Sequence, residues 1–135
     1  MSRGSFESLR VWQNARDLVN LVYDLMEDNK NYGFRNQIQR AAVSIMNNIA
    51  EGYESGTDAK YANFLHIAKG SCSEVRSMLY VCLDRKYCSK EQFDILKSQA
   101  IIISSQLYKL LEYKQQIRSL ADSKTFSLLP LAFRH

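Results

Sequence analysis

Residues that interrupt secondary structure are rare in this sequence of 135 residues. It contains one proline, Pro130, and five glycines. Since proline and glycine break helices and strands most strongly, their scarcity favours long helices over many short strands. Hydrophobic residues make up 46% and charged residues 24%, as in an ordinary globular domain. The length and the composition therefore predict one folded domain.

Cysteine and histidine are also scarce. The three cysteines, Cys72, Cys82 and Cys88, form no C-x-x-C pair, and the two histidines are far apart. An odd number of cysteines in a cytosolic chain argues against a disulfide framework. Because the paired-ligand spacing of a structural zinc site is missing, we predict no metal and no other cofactor. Cys72 and Cys82 are predicted to pack as small hydrophobic residues.

Long apolar runs are missing as well. The longest wholly apolar stretches, such as residues 100–103, contain only a few residues, whereas a membrane-spanning helix needs about 20. The first ten residues, MSRGSFESLR, lack the apolar centre of a secretory signal. These features predict a cytoplasmic protein that does not contact membranes.

Motifs that carry catalytic chemistry are missing from the sequence. It contains no G-x-S-x-G, no phosphate-binding loop, no H-E-x-x-H and no E-x-x-H pair for a di-iron bundle. His66 has no second ligand or nucleophile on an adjacent turn, so we expect it at the surface or in an interface. The sequence therefore predicts a protein that is not an enzyme; an enzymatic site would have to form between subunits.

Helical periodicity covers most of the chain. Apolar residues recur at helical spacing over approximately residues 6–26, 35–51, 58–85 and 90–121, followed by a tail over residues 122–135. Four amphipathic helices with short connections predict an all-α fold, an antiparallel up-down-up-down four-helix bundle. Gly52 is predicted to end the second helix as its C′ residue. Gly70, in the middle of the third helix, is predicted to let the backbone near Ala41 and Ala42 pass close by.

The second helix has two faces. Its apolar stripe is formed by residues at positions i, i+3, i+4, i+7 and i+11, namely Ile38, Ala41, Ala42, Ile45 and Ile49. The opposite stripe is polar but mostly uncharged, which favours specific hydrogen bonds inside a bundle or across a subunit interface. The fourth helix is apolar more than halfway round, which predicts a second buried surface. The predicted oligomer interface comprises Gln37, Ser44, Asn47, Asn48, Glu51, Ile101 and Ile102.

The net charge of +4 is concentrated toward the C-terminus. Residues 97–135 hold six basic and two acidic side chains. This excess predicts either a contact surface for nucleic acid or a soluble surface whose charges favour helix C-termini. Arg40 on the second helix is interpreted either as the partner of a carboxylate or as a phosphate contact. The candidate nucleic-acid contacts are Arg40, Lys69, Lys97, Lys109, Lys114 and Arg118.

Several segments together resemble a known family. They are F-x-x-L-x-V-W-Q from Phe6, Y-G-F-x-x-Q-I-x-R-A-A from Tyr32, N-I-A-E-G from Asn48 and F-L-x-I-A-x-G-S from Phe64. In combination they are similar to the four-helix-bundle proteins first described as encoded in 23S ribosomal RNA intervening sequences. The chain departs from the family pattern in the second helix. Met46-Asn47 stand where the family commonly has Pro-Ser, and Gln39 stands where it commonly has arginine.

The resemblance implies an antiparallel four-helix bundle that assembles as a ring, typically a homopentamer. It also implies a likeness to the accessory variability proteins of diversity-generating retroelements, basic pentameric barrels that bind a reverse transcriptase and nucleic acid. No catalytic residues come with the family. The leading hypothesis is a non-enzymatic homo-oligomer that acts as a scaffold or accessory factor. The alternative is an accessory protein that binds structured RNA or DNA, or a nucleic-acid enzyme, through basic residues of the fourth helix.

Overall fold

The computed structural model describes residues 4–122, with the exception of the Arg118 side chain. A short 3-10 helix over Phe6–Ser8 precedes four α-helices: α1 (Arg10–Met26), α2 (Tyr32–Tyr53), α3 (Asp58–Asp84) and α4 (Lys90–Asp122). The described residues contain no strand, so the all-α prediction is confirmed. The predicted tail, beyond Asp122, lies outside the described residues.

Helices α2 and α3 run in opposite directions, as their paired residues show. Gln37 near the start of α2 bonds to Glu74 in the second half of α3, while Gly52 at the end of α2 lies against Tyr61 at the start of α3. Helices α3 and α4 also run in opposite directions. Asp58 at the start of α3 pairs with residue 114 near the end of α4, and residues 80 and 93 meet at the opposite end.

Helix α1 completes the antiparallel arrangement. The hydroxyl of Tyr53, the last residue of α2, donates to the Gly4 carbonyl ahead of α1 at 2.8 Å. At the other end, the Arg35 guanidinium near the start of α2 donates to the Glu27 carbonyl after α1 at 3.3 Å. Helix α1 also packs on α4, whereas among the described residues no Cα atoms of α1 and α3, or of α2 and α4, come within 8 Å of each other. The chain is therefore an up-down-up-down bundle in which α2 and α4 are diagonal.

The core lies along the axis between the four helices. It consists of the apolar stripe of each helix, and the α2 stripe is buried as predicted, with Ile38, Ala42, Ile45 and Ile49 fully enclosed. Cys72 and Cys82 are also fully buried in this core, which confirms their packing as small hydrophobic residues. Helix α2 is continuous through Met46-Asn47, because neither residue interrupts the backbone ladder.

Side chains fix the starts of three helices. Helix α2 begins three residues earlier than predicted because the Asn31 carboxamide accepts from the Phe34 amide at 3.2 Å. The Thr57 hydroxyl caps α3 by accepting from the Lys60 amide at 3.2 Å. At α4, Ser89 accepts from the Gln92 amide at 3.1 Å while the Gln92 carboxamide accepts from the Ser89 amide at 2.9 Å. This reciprocal pair is a capping box.

Both glycine predictions are wrong. Gly52 does not end α2: it is buried within the last turn, and the helix continues to Tyr53. A Cβ atom at Gly52 would lie 2.9 Å from the Phe64 Cβ and 3.1 Å from the Tyr61 ring, so α2 and α3 approach each other closely at this glycine. Gly70 instead is exposed, and an added Cβ there would meet no described atom within 4 Å. Gly70 therefore does not pack against Ala41 and Ala42.

Candidate functional surfaces

The polar stripe of α2 divides into two parts. In one part, three side chains bond within the chain at the seam between α2 and α3. The Gln37 amide donates to Glu74 at 3.3 Å, and the Ser71 hydroxyl donates to the Ser44 hydroxyl at 2.9 Å. The Asn48 amide donates to the Ser44 carbonyl at 2.8 Å. These predicted interface residues therefore already stabilise the bundle itself.

The other part of the stripe faces outward. Arg40, Asn47 and Glu51 are exposed there and, with Asn36 and Val43 among the neighbouring residues, line an open groove of about 640 Å³. None of the described carboxylates pairs with Arg40. The intrachain version of its predicted ion pair is therefore not formed. We call this set of five residues the outer α2 face.

The two isoleucines predicted as an interface lie on different flanks of α4. Ile101 is 42% and Ile102 is 48% exposed, but consecutive helical residues point about 100° apart. Ile102 shares its flank with Ile95 and Tyr113, seven residues before it and eleven after it, and with Lys109, seven residues after it; all three are exposed. We call Ile95, Ile102 and Tyr113 the apolar α4 flank. Ile101 lies instead on the side of α4 that meets α3.

Two of the six candidate nucleic-acid contacts come together at the junction of α3 and α4. The Lys69 ammonium lies 5.1 Å from the centre of the Tyr108 ring, and the Lys97 ammonium lies 5.4 Å from the centre of the Tyr80 ring. The ammonium of Lys97 also lowers the pKa of Tyr80, first through a hydrogen bond to its hydroxyl and then through its charge. Each lysine therefore forms a cation–π pair with a tyrosine of the opposite helix.

The other four candidates are placed differently. Lys114 is held within the chain, because its ammonium pairs with Asp58 at 2.9 Å and lies 5.1 Å from the centre of the Tyr61 ring. Lys109 is exposed, but as the residue after Tyr108 it is turned about 100° away around α4. Arg40 belongs to α2, which does not contact α4. The side chain of Arg118 lies outside the described part of the structure.

Carboxylates are sparse around the α3–α4 junction. Residues 95–111 of α4 contain two lysines and no acidic residue. Residues 59–83 of α3 contain one acidic residue, Glu74, which bonds to Gln37 on the side of α3 that meets α2. Helix α1 and the loop after it instead carry four acidic residues over residues 17–28. The positive charge of the bundle is thus gathered on the side of α3 and α4.

Within the described part of the chain, chemically reactive groups are not assembled into a site. Burial raises the pKa of the Cys72 thiol to about 12 and that of Cys82 to about 12, which keeps both protonated. His66, exposed as predicted, lines a cavity of about 310 Å³ with Asp58 and Lys114 among others. No three metal-ligating side chains gather within residues 4–122. None of the described helices is long and apolar enough to cross a membrane.

The tyrosines of the α3–α4 junction were not singled out from the sequence. A signal was present, because Lys69, Ser73, Arg76 and Tyr80 have the spacing i, i+4, i+7 and i+11 of one helical stripe. Lys97, Ile101, Ser104 and Tyr108 repeat this spacing on α4. Only the antiparallel register of the two helices places the lysine of each stripe against the tyrosine of the other.

The chain is an antiparallel four-helix bundle, and its candidate functional surfaces lie on the outside of the helices. The chain belongs to the 23S rRNA-intervening sequence protein family, whose model matches residues 7–109. It is similar to a crystal structure of a protein of unknown function from the S23 ribosomal protein family of Bacteroides thetaiotaomicron. The two are 26% identical with a TM-score of 0.68, over 75% of this chain and 97% of that one. No match was found among curated proteins.

Proposed function

We propose that this chain is a non-enzymatic homo-oligomer that acts as a scaffold or accessory factor. The observation that carries the proposal is the outer α2 face, where Asn36, Val43 and Asn47 lie with the charged Arg40 and Glu51 along an open groove that Tyr23 of α1 also lines. A face that only contacted water would be expected to carry mainly Lys and Glu. The groove is lined instead by amides, Arg40 and Tyr23, and arginine and aromatic residues are enriched in interfaces whereas lysine is depleted.

The apolar α4 flank supplies a second surface for assembly. Ile95, Ile102 and Tyr113 are each roughly half exposed in the isolated chain, with Lys109 between the last two, and exposed apolar patches rimmed by polar residues mark interaction sites. Because α2 and α4 are diagonal in the bundle, the two surfaces face away from each other. An interface between two different surfaces is head-to-tail, and it generates a ring when the rotation closes. This arrangement agrees with the homopentamer that the family resemblance implies.

The experiment is a set of single variants examined by sedimentation velocity. We expect Asn47→Arg and Ile102→Glu each to dissociate the assembly into monomers, since each adds a charge to one of the two surfaces. Ile67→Glu is the matched control, because Ile67 is 52% exposed but lies on α3, outside both surfaces. An assembly that survives both of the interface substitutions would contradict the proposal.

Mixing the two dissociated variants tests the head-to-tail geometry. Asn47→Arg retains an intact α4 flank and Ile102→Glu retains an intact outer α2 face, so a mixture should form a heterodimer and nothing larger. If each surface instead paired with its own copy, each single variant would form a dimer by itself. Dimers formed by each variant alone would show that the protein assembles, but they would reject the head-to-tail ring.

A second candidate function is the binding of nucleic acid. The observation that favours it is the absence of acidic residues from positions 95–111 of α4, next to the basic residues of α3. Phosphate binding releases counterions, so affinity should fall steeply between about 50 and 200 mM salt. A gel-shift titration with RNA or DNA that shows no binding, or binding independent of salt, would reject this function.

A further inference from the structure

The two lysine–tyrosine pairs of the α3–α4 junction form a repeated arrangement. Lys69 and Tyr80 are eleven residues apart on α3, and Lys97 and Tyr108 are eleven residues apart on α4. Because the helices are antiparallel, each lysine lies over the ring of the opposite tyrosine, at 5.1 and 5.4 Å. The two pairs are about 16 Å apart along the bundle, at 1.5 Å per residue. Each pair offers an ammonium group and an aromatic ring at the same place.

Both tyrosine rings remain accessible. Tyr80 is 47% and Tyr108 is 55% exposed although each ring has a lysine beside it. The Tyr80 ring also packs edge-on against the buried Phe93 ring at 5.0 Å, which holds it in one orientation. A fixed, half-exposed aromatic ring costs little conformational entropy when a planar group stacks on it.

The residues between the two pairs continue the same surface. On α3 they are Ser73 and Arg76, and on α4 they are Ile101 and Ser104. The Arg76 Nε is buried and has no hydrogen-bond partner among the described residues. Its charge also reaches the Tyr80 hydroxyl, whose pKa it helps to lower. Cations thus occur at both ends and in the middle of the surface, and no carboxylate lies between them on either stripe.

We propose that Tyr80 and Tyr108, with Lys69 and Lys97, form a binding surface for single-stranded nucleic acid. Each ring stacks on a base, and each lysine moves from its ring to a neighbouring phosphate. Grooves that bind single strands without sequence preference combine such cations with aromatic platforms. A duplex does not suit this surface, because its bases are already stacked on one another and cannot reach the tyrosine rings. The inference rests on the second candidate function, and it names the form of nucleic acid.

The probes are fluorescein-labelled oligouridylate and oligothymidylate of about 12 nucleotides, a length within the usual range of single-strand sites. A blunt RNA duplex of the same length is the comparison, and affinity is measured by fluorescence anisotropy with the full chain. We expect a labelled single strand to bind more tightly than the duplex. We also expect Tyr80→Leu and Tyr108→Leu each to weaken its binding by roughly 5- to 150-fold, the effect of losing one stacked base.

Four further variants separate the effect of stacking from the effect of charge. Tyr80→Phe keeps the ring and should retain the wild-type affinity. Tyr32→Leu is the matched control, because Tyr32 is 62% exposed but lies at the start of α2, and it should also retain that affinity. Lys69→Gln and Lys97→Gln should weaken binding and reduce its salt dependence by about one counterion each. Thermal unfolding of each variant confirms that the bundle remains folded.

The outcomes distinguish this inference from the function on which it rests. Salt-dependent binding that favours the duplex, or that ignores both tyrosine substitutions, would overturn the single-strand surface and leave nucleic-acid binding intact. The absence of salt-dependent binding to every probe would overturn both. Weakened binding by Tyr80→Leu and Tyr108→Leu, with Tyr80→Phe and Tyr32→Leu unchanged, is the result that supports the inference.

Discussion

Replacing Gly52 and Gly70 by alanine in two separate variants tests the packing of α2 on α3. Both glycines lie inside helices, so alanine should stabilise each helix by up to about 1 kcal/mol. At Gly70 nothing opposes this gain, because no described atom lies within 4 Å of the added Cβ. At Gly52 the Cβ would lie 2.9 Å from the Phe64 Cβ, an atom close to the α3 backbone that cannot turn aside.

The expected difference in stability between the two variants follows from the packing around each glycine. Forcing one extra methyl group into a packed contact costs about 1–3 kcal/mol, while the gain in helix propensity is shared by both variants. We therefore expect Gly70→Ala to raise the free energy of unfolding. Gly52→Ala should be about 1–3 kcal/mol less stable than Gly70→Ala. Urea unfolding followed by circular dichroism, at one protomer concentration, measures both. Equal stabilisation by the two substitutions would refute the close approach of α2 and α3 at Gly52.

Three further predictions concern a cap, a thiol and an ion pair. Ser89→Ala removes one half of the α4 capping box and should lower the free energy of unfolding by about 1 kcal/mol in urea; no loss would contradict the cap. Because burial raises the pKa of Cys72 from 9.0 to about 12, the unfolded state loses this proton first as the pH rises. The free energy of unfolding should therefore fall above about pH 9 by up to about 1.4 kcal/mol per pH unit because of Cys72. The Cys72→Ala variant should lack this contribution to the pH dependence. Lys114→Met should cost at most about 1 kcal/mol and leave oligonucleotide affinity unchanged, since Lys114 pairs with Asp58; a tenfold loss of affinity would show that it contacts the ligand.

The helices and the buried stripes could be predicted because they follow from periodicity alone. The stripe of Ile38, Ala42, Ile45 and Ile49 repeats at helical spacing, and a repeated apolar stripe has to be buried whatever its neighbours are. The bounds of α2 were less predictable. Its start depends on one hydrogen bond, which the Phe34 amide donates to the Asn31 side chain, and its end lies beyond Gly52, which the sequence predicts as a stop.

The structural roles of Gly52 and Gly70 could not be predicted from the sequence. Glycine in a helix is compatible with a cap, a close contact or an exposed position with no special role. Which of these applies depends on the neighbouring helix. At Gly52 it is a close contact, because Phe64 of α3 lies against this glycine. The same holds for the polar stripe of α2. Ser44 and Asn47 share that stripe in the sequence, but only Ser44 meets a hydroxyl on α3.

Surfaces built from two helices were the least predictable part. Ile101 and Ile102 are adjacent in the sequence, yet they lie on different flanks of α4. Ile101 belongs to the surface between α3 and α4, whereas Ile102 belongs to the apolar α4 flank. Lys69 and Tyr108 are 39 residues apart in the sequence, and only the antiparallel register brings the ammonium to 5.1 Å from the centre of the ring.

The central claim is that the outer α2 face and the apolar α4 flank are buried between copies of this chain. Light scattering coupled to gel filtration measures the mass of the wild-type protein at micromolar concentration. We expect a discrete multiple of the 15.6 kDa chain mass, with five copies for the ring that the family resemblance implies. A single species of 15.6 kDa would contradict it.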